Sequence, residues 1–543
     1  MTSASTTTKR TLGILAGTAA FALVLTGCAS GSSGGGGGSS SGSLVVGTTD
    51  KVTFIDPAGS YDNGSFAVMN QVYPFLLNSK AGTSDVEPDI AASAEFTTPT
   101  DYTVVLKPDL KFANGHALTS SDVKFSFDRQ IAIADVNGPS VLLGNLDSVE
   151  ATDDTTVVFH LKNGNDQVWP QILSSPAAPI VDEEVFAADK VTPDADIVAA
   201  NAFAGQFVIK KYDFNNLVTF ESNPEYKGLL GAPKTKTVQL KYYAESSNLK
   251  LDVQEGNIDV AYRSLSATDV ADLQGNDKVK VEVGPGGEIR YIVFNFDTQP
   301  FGAKTDDADA KKALAVRTAV ADLVDREAIA KQVYKGTYLP LYSYVPDGLT
   351  GATTVLKDLY GDGSGGPDAD KAAAALSDAG VSTPVTLKLQ YNPDHYGESS
   401  GDEYALVKSQ LEATGLFKVD LQSTEWTTYS VDRSKDVYPA YQLGWFPDYS
   451  DADNYLSPFF VKDNFLANHY DNPEVADLIS KQASETDAAA RQSEIEEIQA
   501  KVAADLSTVP LLQGSQIAVT GTDVSGAVLD GSFKFRFGSL VKG

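Results

Sequence analysis

The chain has 543 residues, of which 42% are apolar, enough for more than one sizeable hydrophobic core. Its 72 acidic residues outnumber its 42 Lys and Arg residues, giving a formal net charge of −30. A surface this acidic repels phosphate backbones, which excludes nucleic acid as a partner, and we read the acidity as a solvated face of the protein.

The N-terminus has the pattern of a secreted lipoprotein. Lys9 and Arg10 precede an uncharged stretch over residues 11–27, and Leu25-Thr26-Gly27-Cys28 follows the pattern of a lipoprotein cleavage box. The stretch is too short to span a bilayer comfortably, and no later run of about 18 apolar residues occurs. We therefore predict that residues 1–27 are a removed signal and that Cys28, the single cysteine, is lipidated.

A flexible tether follows the predicted lipidation site. Residues 29–43 are all Ala, Gly or Ser, so they have no side chains to bury. Such a segment reaches about 20 Å by the flexible-chain relation, which would hold a folded body clear of a membrane surface.

The rest of the chain alternates between strand and helix patterns, which predicts an α/β protein with several sheets. Runs rich in β-branched and aromatic residues predict strands at 44–46, 104–106, 155–161, 238–243, 291–296 and 385–391. Apolar residues at helical spacing predict helices at 309–335, 370–378 and 488–506.

No segment has the spacing of a known catalytic or cofactor motif. A nucleophile elbow, a phosphate-binding lysine loop and a paired zinc-histidine motif are all absent from the sequence. The Gly284-Pro285-Gly286-Gly287 segment leads into a strand-like run and not into a helix, so it is interpreted as a turn. We therefore expect no enzymatic activity and no cofactor.

The sequence also lacks a convincing metal site. The four histidines are far apart in sequence, and a structural or surface role is expected for each: His116, His160, His395 and His469. Asp448, Asp451 and Asp453 are close together but lack the glycine and closing glutamate of a calcium loop.

Several segments, in order along the chain, resemble the bacterial extracellular solute-binding proteins of the peptide, opine and nickel class. The resemblance is closest to the oligopeptide- and dipeptide-binding proteins of ABC importers. It rests on LKFANGHALTSSDV at 110–123, SNPEYKG at 222–228, EGNIDV at 255–260, and Val316-Arg317 with LVDRE at 323–327.

This resemblance implies a two-lobe, periplasmic-binding-protein-like α/β fold with two crossing strands and a small extra domain. The crossings are expected near 288–293 and 507–511. The implied organisation is signal 1–27, lipidated Cys and tether 28–43, lobe I in parts 44–86, 201–287 and 509–543, small domain 87–200, and lobe II 288–508.

The resemblance also implies a ligand site in the segment from Glu425 to Asn454. By similarity Asp448 meets the terminal ammonium of a peptide, and Trp426 forms a wall of a side-chain pocket. The other implied site residues are Arg433 as a polar or carboxylate contact, the aromatic residues Trp445 and Tyr449, and Gln442, which replaces an arginine of the oligopeptide binders.

We therefore expect a monomeric, lipid-anchored binding protein outside the cytoplasm that passes a peptide-like ligand to the permease of an ABC importer. On the same fold the ligand could instead be an oligosaccharide, an opine or a metal chelate. A secreted hydrolase and a structural envelope lipoprotein are the alternatives from other classes. The replacement by Gln442 leaves open how the C-terminus of a ligand is recognised.

Overall fold

The computed structural model describes residues 43–263, 265–397, 399–532 and 534–543. The predicted signal, Cys28 and nearly all of the predicted tether lie outside these residues. Within the described ranges, no helix combines the length and the apolar character needed to cross a bilayer.

The strands alternate with helices along the chain, as the sequence predicts. They are β1 (Leu44–Thr48), β2 (Leu77–Ser79), β3 (Val86–Pro88), β4 (Ala91–Phe96), β5 (Asp101–Leu106), β6 (Leu146–Asp153), β7 (Thr156–Leu161), β8 (Phe207–Asp213), β9 (Leu217–Ser222), β10 (Thr237–Tyr242), β11 (Val260–Tyr262), β12 (Val279–Phe294), β13 (Tyr338–Pro340), β14 (Val385–Tyr391), β15 (Phe417–Ser423), β16 (Ala440–Trp445), β17 (Thr508–Gly521), β18 (Val524–Ser525) and β19 (Val541–Lys542).

The helices pack on the faces of these sheets. They are α1 (Asn63–Val72), α2 (Ser120–Ile133), α3 (Trp169–Ile172), α4 (Asp194–Ala200), α5 (Ser246–Glu255), α6 (Ala267–Gln274), α7 (Ala310–Leu323), α8 (Arg326–Gln332), α9 (Val355–Leu359), α10 (Ala369–Asp378), α11 (Ser400–Glu412), α12 (Trp426–Arg433), α13 (Pro473–Ser484) and α14 (Ala488–Asp505).

One large mixed sheet runs through most of the described chain, in the order β15-β14-β16-β12-β17-β11-β1-β10-β9-β8. Its two central strands, β12 and β17, are long and antiparallel; β12 pairs with β16 only over residues 289–294, and β17 pairs with β11 only over residues 518–520. Lobe I is the half built on β1 and β8–β11, and lobe II is the half built on β14–β16. The two-lobe α/β fold with two crossing strands is thus confirmed.

The change between the lobes coincides with a register shift in the crossing strands. Pairing of β12 with β17 is interrupted between Pro285 and Ile289, opposite Gln513 and Ser515. The first part of β17, residues 508–512, pairs with the lobe II half of β12, and β17 pairs with β11 of lobe I from Ala518.

The glycine-rich segment at 284–287 is not the predicted turn, because it lies within β12. A Cβ on Gly286 would lie 2.0 Å from the carbonyl oxygen of Gly514, and one on Gly287 would lie 2.5 Å from Pro447 Cγ. The glycines therefore permit close approach of the chain to β17 and to the loop after β16. Glycine is favoured both in turns and at such close contacts, so the sequence alone does not tell the two apart.

A separate four-stranded sheet, in the order β4-β5-β7-β6, lies within the range predicted for the small domain. Helix α2 packs on it, and Thr119 caps that helix, with Asp122 completing the capping box. Phe127, Phe159 and Trp169 form the centre of its core. We call residues 91–173 the small domain below.

One predicted helix is divided into two. The pattern over 309–335 contains α7 and α8, because Val324 is extended and Asp325 accepts a hydrogen bond from Ala328 N–H as the cap of a new helix. The other two predicted helices correspond closely to α10 and α14.

Candidate functional site

The strand register determines which loops line the space between the lobes. In lobe I, β1, β10 and β11 are parallel, and the carboxyl end of β11 is the end nearest to the register shift. In lobe II, β14, β15 and β16 are parallel, and the carboxyl end of β16 is likewise nearest to the shift. The two sets of carboxyl ends therefore face each other, which is where ligands bind in open α/β sheets.

The loop after β16 contains the predicted ammonium ligand Asp448 and is tightly held. Asn454 is 1% exposed, and its Oδ1 accepts hydrogen bonds from Trp445 Nε1 at 2.9 Å and from Asp448 N–H at 3.0 Å. Its Nδ2 donates to the Asp448 carboxylate at 3.0 Å. Tyr455 donates to the carbonyl oxygen of Gly287 at 2.7 Å and thereby fixes the loop against the crossing strand.

Asp448 lies where the two lobes meet. The second oxygen of its carboxylate accepts a hydrogen bond from the hydroxyl of Tyr61, which precedes α1 in lobe I. Burial raises the pKa of Asp448, and the hydrogen bonds from Asn454 and Tyr61 partly offset this rise. The carboxylate thus lies in a partly desolvated position with hydrogen-bond donors from both lobes.

Aromatic side chains line the lobe II side of the cleft. Trp426 stacks on His395 with ring centroids 3.8 Å apart and an interplanar angle of 6°. Burial lowers the pKa of His395, which favours the neutral ring. Trp445 packs edge-to-face against Phe459 and Phe465, so one face of the predicted site is a rigid aromatic wall.

Tyr449 packs against the hydrophobic cluster that the small domain shares with residues 75–77 of lobe I. Its hydroxyl lies 3.4 Å from Asp453. The neighbouring Ser450 donates to the carbonyl oxygen of Gly531 in lobe I at 2.9 Å. Tyr449 is therefore part of the contact between the lobes.

Arg433 and Gln442 are engaged inside lobe II. Nη1 of Arg433 donates to the carbonyl oxygens of Phe465 at 2.9 Å and Leu466 at 3.3 Å. Gln442 is fully buried, where its Oε1 accepts from Asn392 N–H at 2.9 Å and its Nε2 lies 3.1 Å from Ser400 Oγ. Both side chains hold loops of lobe II in this structure, and neither is brought together with Asp448.

A buried ionic cluster surrounds Arg290 on β12, next to the register shift. Arg290 is 4% exposed and donates to Glu288 at 3.1 Å, Glu403 at 3.3 Å and Tyr338 at 2.8 Å. Tyr338 in turn donates to Glu288 at 2.8 Å. The guanidinium of Arg290 is thus neutralised by carboxylates of the protein itself.

The lobe I side contains site residues that the sequence reasoning did not identify, namely Asp50, Tyr61 and Arg263. Asp50 follows β1 and Arg263 follows β11, so both lie at the carboxyl edge. Their side chains pair, with Arg263 Nε 3.4 Å from Asp50 Oδ2. Asp50 and Arg263 could have been found in the sequence because each follows a strand. To place them at the same edge, however, the order of the strands in the sheet must be known.

The clusters of possible metal ligands are explained by ion pairs. Asp297, Asp436 and His469 have ligand atoms within 4.8 Å of one another, and Lys304 Nζ forms an ion pair with Asp297 at 2.8 Å. Among the three neighbouring aspartates, Asp451 accepts two hydrogen bonds from Arg491, at 2.7 and 2.9 Å. Its carboxylate is thus paired with an arginine and does not share a site with Asp448.

Comparisons with known proteins identify the family of the chain. The model for bacterial extracellular solute-binding proteins, family 5, matches residues 85–466. A probable D,D-dipeptide-binding periplasmic protein of Escherichia coli is 25% identical over 498 residues, covering 90% of this chain and 91% of its own. The periplasmic oligopeptide-binding protein of Salmonella typhimurium is 24% identical over 459 residues, covering 79% and 80%.

Solved structures show the same fold. HbpA2 from Haemophilus parasuis superposes with a TM-score of 0.78 at 19% identity, over 92% of this chain and all of its own. The chain belongs to the bacterial extracellular solute-binding proteins of family 5, whose members are binding proteins.

Proposed function

We propose that the protein captures peptides or peptide-like cationic solutes between its two lobes and delivers them to the permease of an ABC importer. The observation that carries this proposal is Asp448, a partly desolvated carboxylate at the junction of the lobes. A peptide ammonium there would form a charge-assisted hydrogen bond of roughly 1.5–3 kcal/mol in place of contacts with water. The relatives named for D,D-dipeptide and oligopeptide binding support the same ligand class.

The first test measures binding by thermal unfolding with a panel of dipeptides, tripeptides and longer peptides. A ligand that binds only the native state stabilises it by about 2.7 kcal/mol at a hundredfold excess over Kd. We expect at least one peptide to raise Tm. An unchanged Tm across the whole panel would favour a structural envelope protein instead.

The second test isolates Asp448 with the Asp448→Asn variant, which keeps the shape and removes the charge. We expect a peptide with a free N-terminus to lose at least about tenfold in affinity, or 1.4 kcal/mol. The same peptide after N-acetylation should respond far less to the substitution. Equal effects on the two ligands would contradict the ammonium role and would favour an uncharged ligand such as an oligosaccharide.

We further propose that Cys28 is lipidated and anchors the protein outside the cytoplasm. The cleavage box at 25–28 and the Ala, Gly and Ser segment that follows it support this. In fractionated cells, Cys28→Ala should release the protein from the membrane fraction. Retention equal to that of the unsubstituted protein would place the anchor elsewhere.

A further inference from the structure

A lysine of lobe I is buried without an ion pair. Lys534 is 6% exposed, and among the residues that the structure describes no carboxylate lies within ion-pair distance of its Nζ. Nζ donates to the carbonyl oxygen of Ser174 at 2.8 Å, and it lies 3.3 Å from Oδ1 of Asn78 and 5.4 Å from the ring centroid of Phe75. A buried cation without a counter-ion is costly, so these surroundings favour the neutral amine.

The protonation of Lys534 follows from this burial. Burial and the nearby charge of Arg536 lower the pKa of Lys534 to about 7. The carboxylates of Asp89 and Asp530 act in the opposite direction and do not cancel this effect. A lysine that is desolvated and close to a second cation is activated as a nucleophile, because its neutral form carries a free lone pair. A large fraction of this amine is therefore nucleophilic at neutral pH.

The side-chain amide of Asn78 faces this amine and is polarised by the backbone. Asn78 is 4% exposed, and its Oδ1 accepts a hydrogen bond from Ser79 N–H at 2.9 Å. A donor on the carbonyl oxygen stabilises the negative charge that develops there when an amine adds to the carbon. The amide carbon is one bond away from the oxygen that Lys534 contacts. A nucleophile and an electrophile thus lie together in a site that is closed to water.

Arg536 holds the two segments in this arrangement. Its Nη2 donates to the carbonyl oxygen and to the hydroxyl of Ser79, at 2.8 and 2.6 Å, and its Nη1 lies 3.2 Å from Asp530. The strand β2, which contains Asn78, is therefore fixed beside the segment 534–536. Two groups that stay in contact react far more readily than the same groups in solution.

We propose that Lys534 and Asn78 are joined by an intramolecular isopeptide bond. The bond between Nζ and Asn78 Cγ forms and the bond between Cγ and Nδ2 breaks. One proton of the neutral amine passes to the departing nitrogen, which leaves as ammonia, so the reaction needs no oxidant, reductant or second substrate.

The bond links two segments that are 456 positions apart in the chain. A covalent link of this kind restricts the unfolded state, as a disulfide does. The chain has one cysteine and so forms no intramolecular disulfide. The isopeptide bond supplies that restriction without a thiol.

The experiment compares the purified unsubstituted protein with Lys534→Met and Asn78→Leu by intact mass under denaturing conditions and by peptide mapping. After correction for the substituted side chains, the unsubstituted protein should be lighter than either variant by one ammonia. It should also yield one branched peptide that contains residues 78 and 534, whereas each variant yields two separate peptides. Lys542→Met is the matched control, because Lys542 pairs with Asp259 in the same C-terminal segment, and it should keep the branched peptide.

The peptide map of the unsubstituted protein decides the question even where a variant fails to fold. Separate peptides for residues 78 and 534 at their unmodified masses would overturn the inference and leave an ordinary hydrogen bond. Loss of ammonia with separate peptides would assign cyclisation of Asn78 onto the Ser79 nitrogen, which would also overturn it. No outcome depends on a bound ligand, so the proposed function is tested separately.

Discussion

The two edges of the cleft are constructed in different ways. On lobe II, Asp448 is fixed by Asn454, which is almost completely buried, and its loop is tied to the crossing strand. On lobe I, Tyr61 is 37% exposed and Arg263 is 20% exposed, and each reaches lobe II as a single side chain. The lobe II edge is therefore organised by its own contacts, whereas the lobe I edge meets it through single side chains.

This difference matters for how loading can be sensed. A ligand that met only the rigid edge would gain little from closure, because a ligand shifts an equilibrium only by its differential affinity for the two states. The hydrogen bond from Tyr61 to Asp448 joins the two lobes and would be lost if the lobes separated. Under the proposed function, such contacts would make a closed form report a bound ligand.

The largest expected effect on stability comes from the buried ionic cluster around Arg290. Arg290→Met leaves Glu403 buried without its cation, and breaking such a pair destabilises a protein by about 3–5 kcal/mol. Chemical denaturation should show this loss, and adding Glu403→Gln to Arg290→Met should recover part of it. A loss of unfolding free energy below about 1 kcal/mol would show that the ion pair of Arg290 and Glu403 contributes little to stability.

An intermediate effect concerns the pH dependence of ligand affinity. Burial raises the pKa of Asp448, and only the ionised carboxylate attracts an ammonium. Affinity for a free peptide should therefore be fully present above this raised pKa and decline as pH falls through it. Calorimetry between neutral and acidic pH checks the decline, which Asp448→Asn should flatten; the same decline in that variant would assign the titration to another group.

The smallest expected effect on stability comes from the lobe I edge. Tyr61→Phe removes the hydroxyl that donates to Asp448 but leaves the half-exposed ring, so the free energy of unfolding should change by less than about 0.5 kcal/mol. Small-angle scattering without added ligand should nevertheless show a larger radius of gyration, because a contact between the lobes is lost. An unchanged radius would show that this hydrogen bond does not hold the lobes together.

The sequence predicted local structure well because the signals are local. The strand β14 coincides with its predicted range, and α14 follows from its apolar spacing and its approach to Pro510. The sequence was ambiguous where the role of a residue depends on its three-dimensional surroundings. Asp325 looked like an interior helix residue but caps a new helix, and Gly286 looked like a turn residue but lies against Gly514.

The candidate site was predictable only in part, for the same physical reason. The segment containing Trp426, Trp445 and Asp448 is continuous enough in sequence to be recognised by similarity. The lobe I partners Tyr61 and Arg263 are separated from it by long stretches of chain and meet it only through the strand order. The burial of Gln442 depends equally on packing that no local pattern encodes.

The central claim is that Asp448 binds the free ammonium of a peptide-like ligand where the two lobes meet. The most direct test is calorimetric titration of the unsubstituted protein with one peptide in two forms, free and N-acetylated. We expect the free form to bind more tightly by at least about tenfold, or 1.4 kcal/mol. Equal affinity for the two forms would contradict the account.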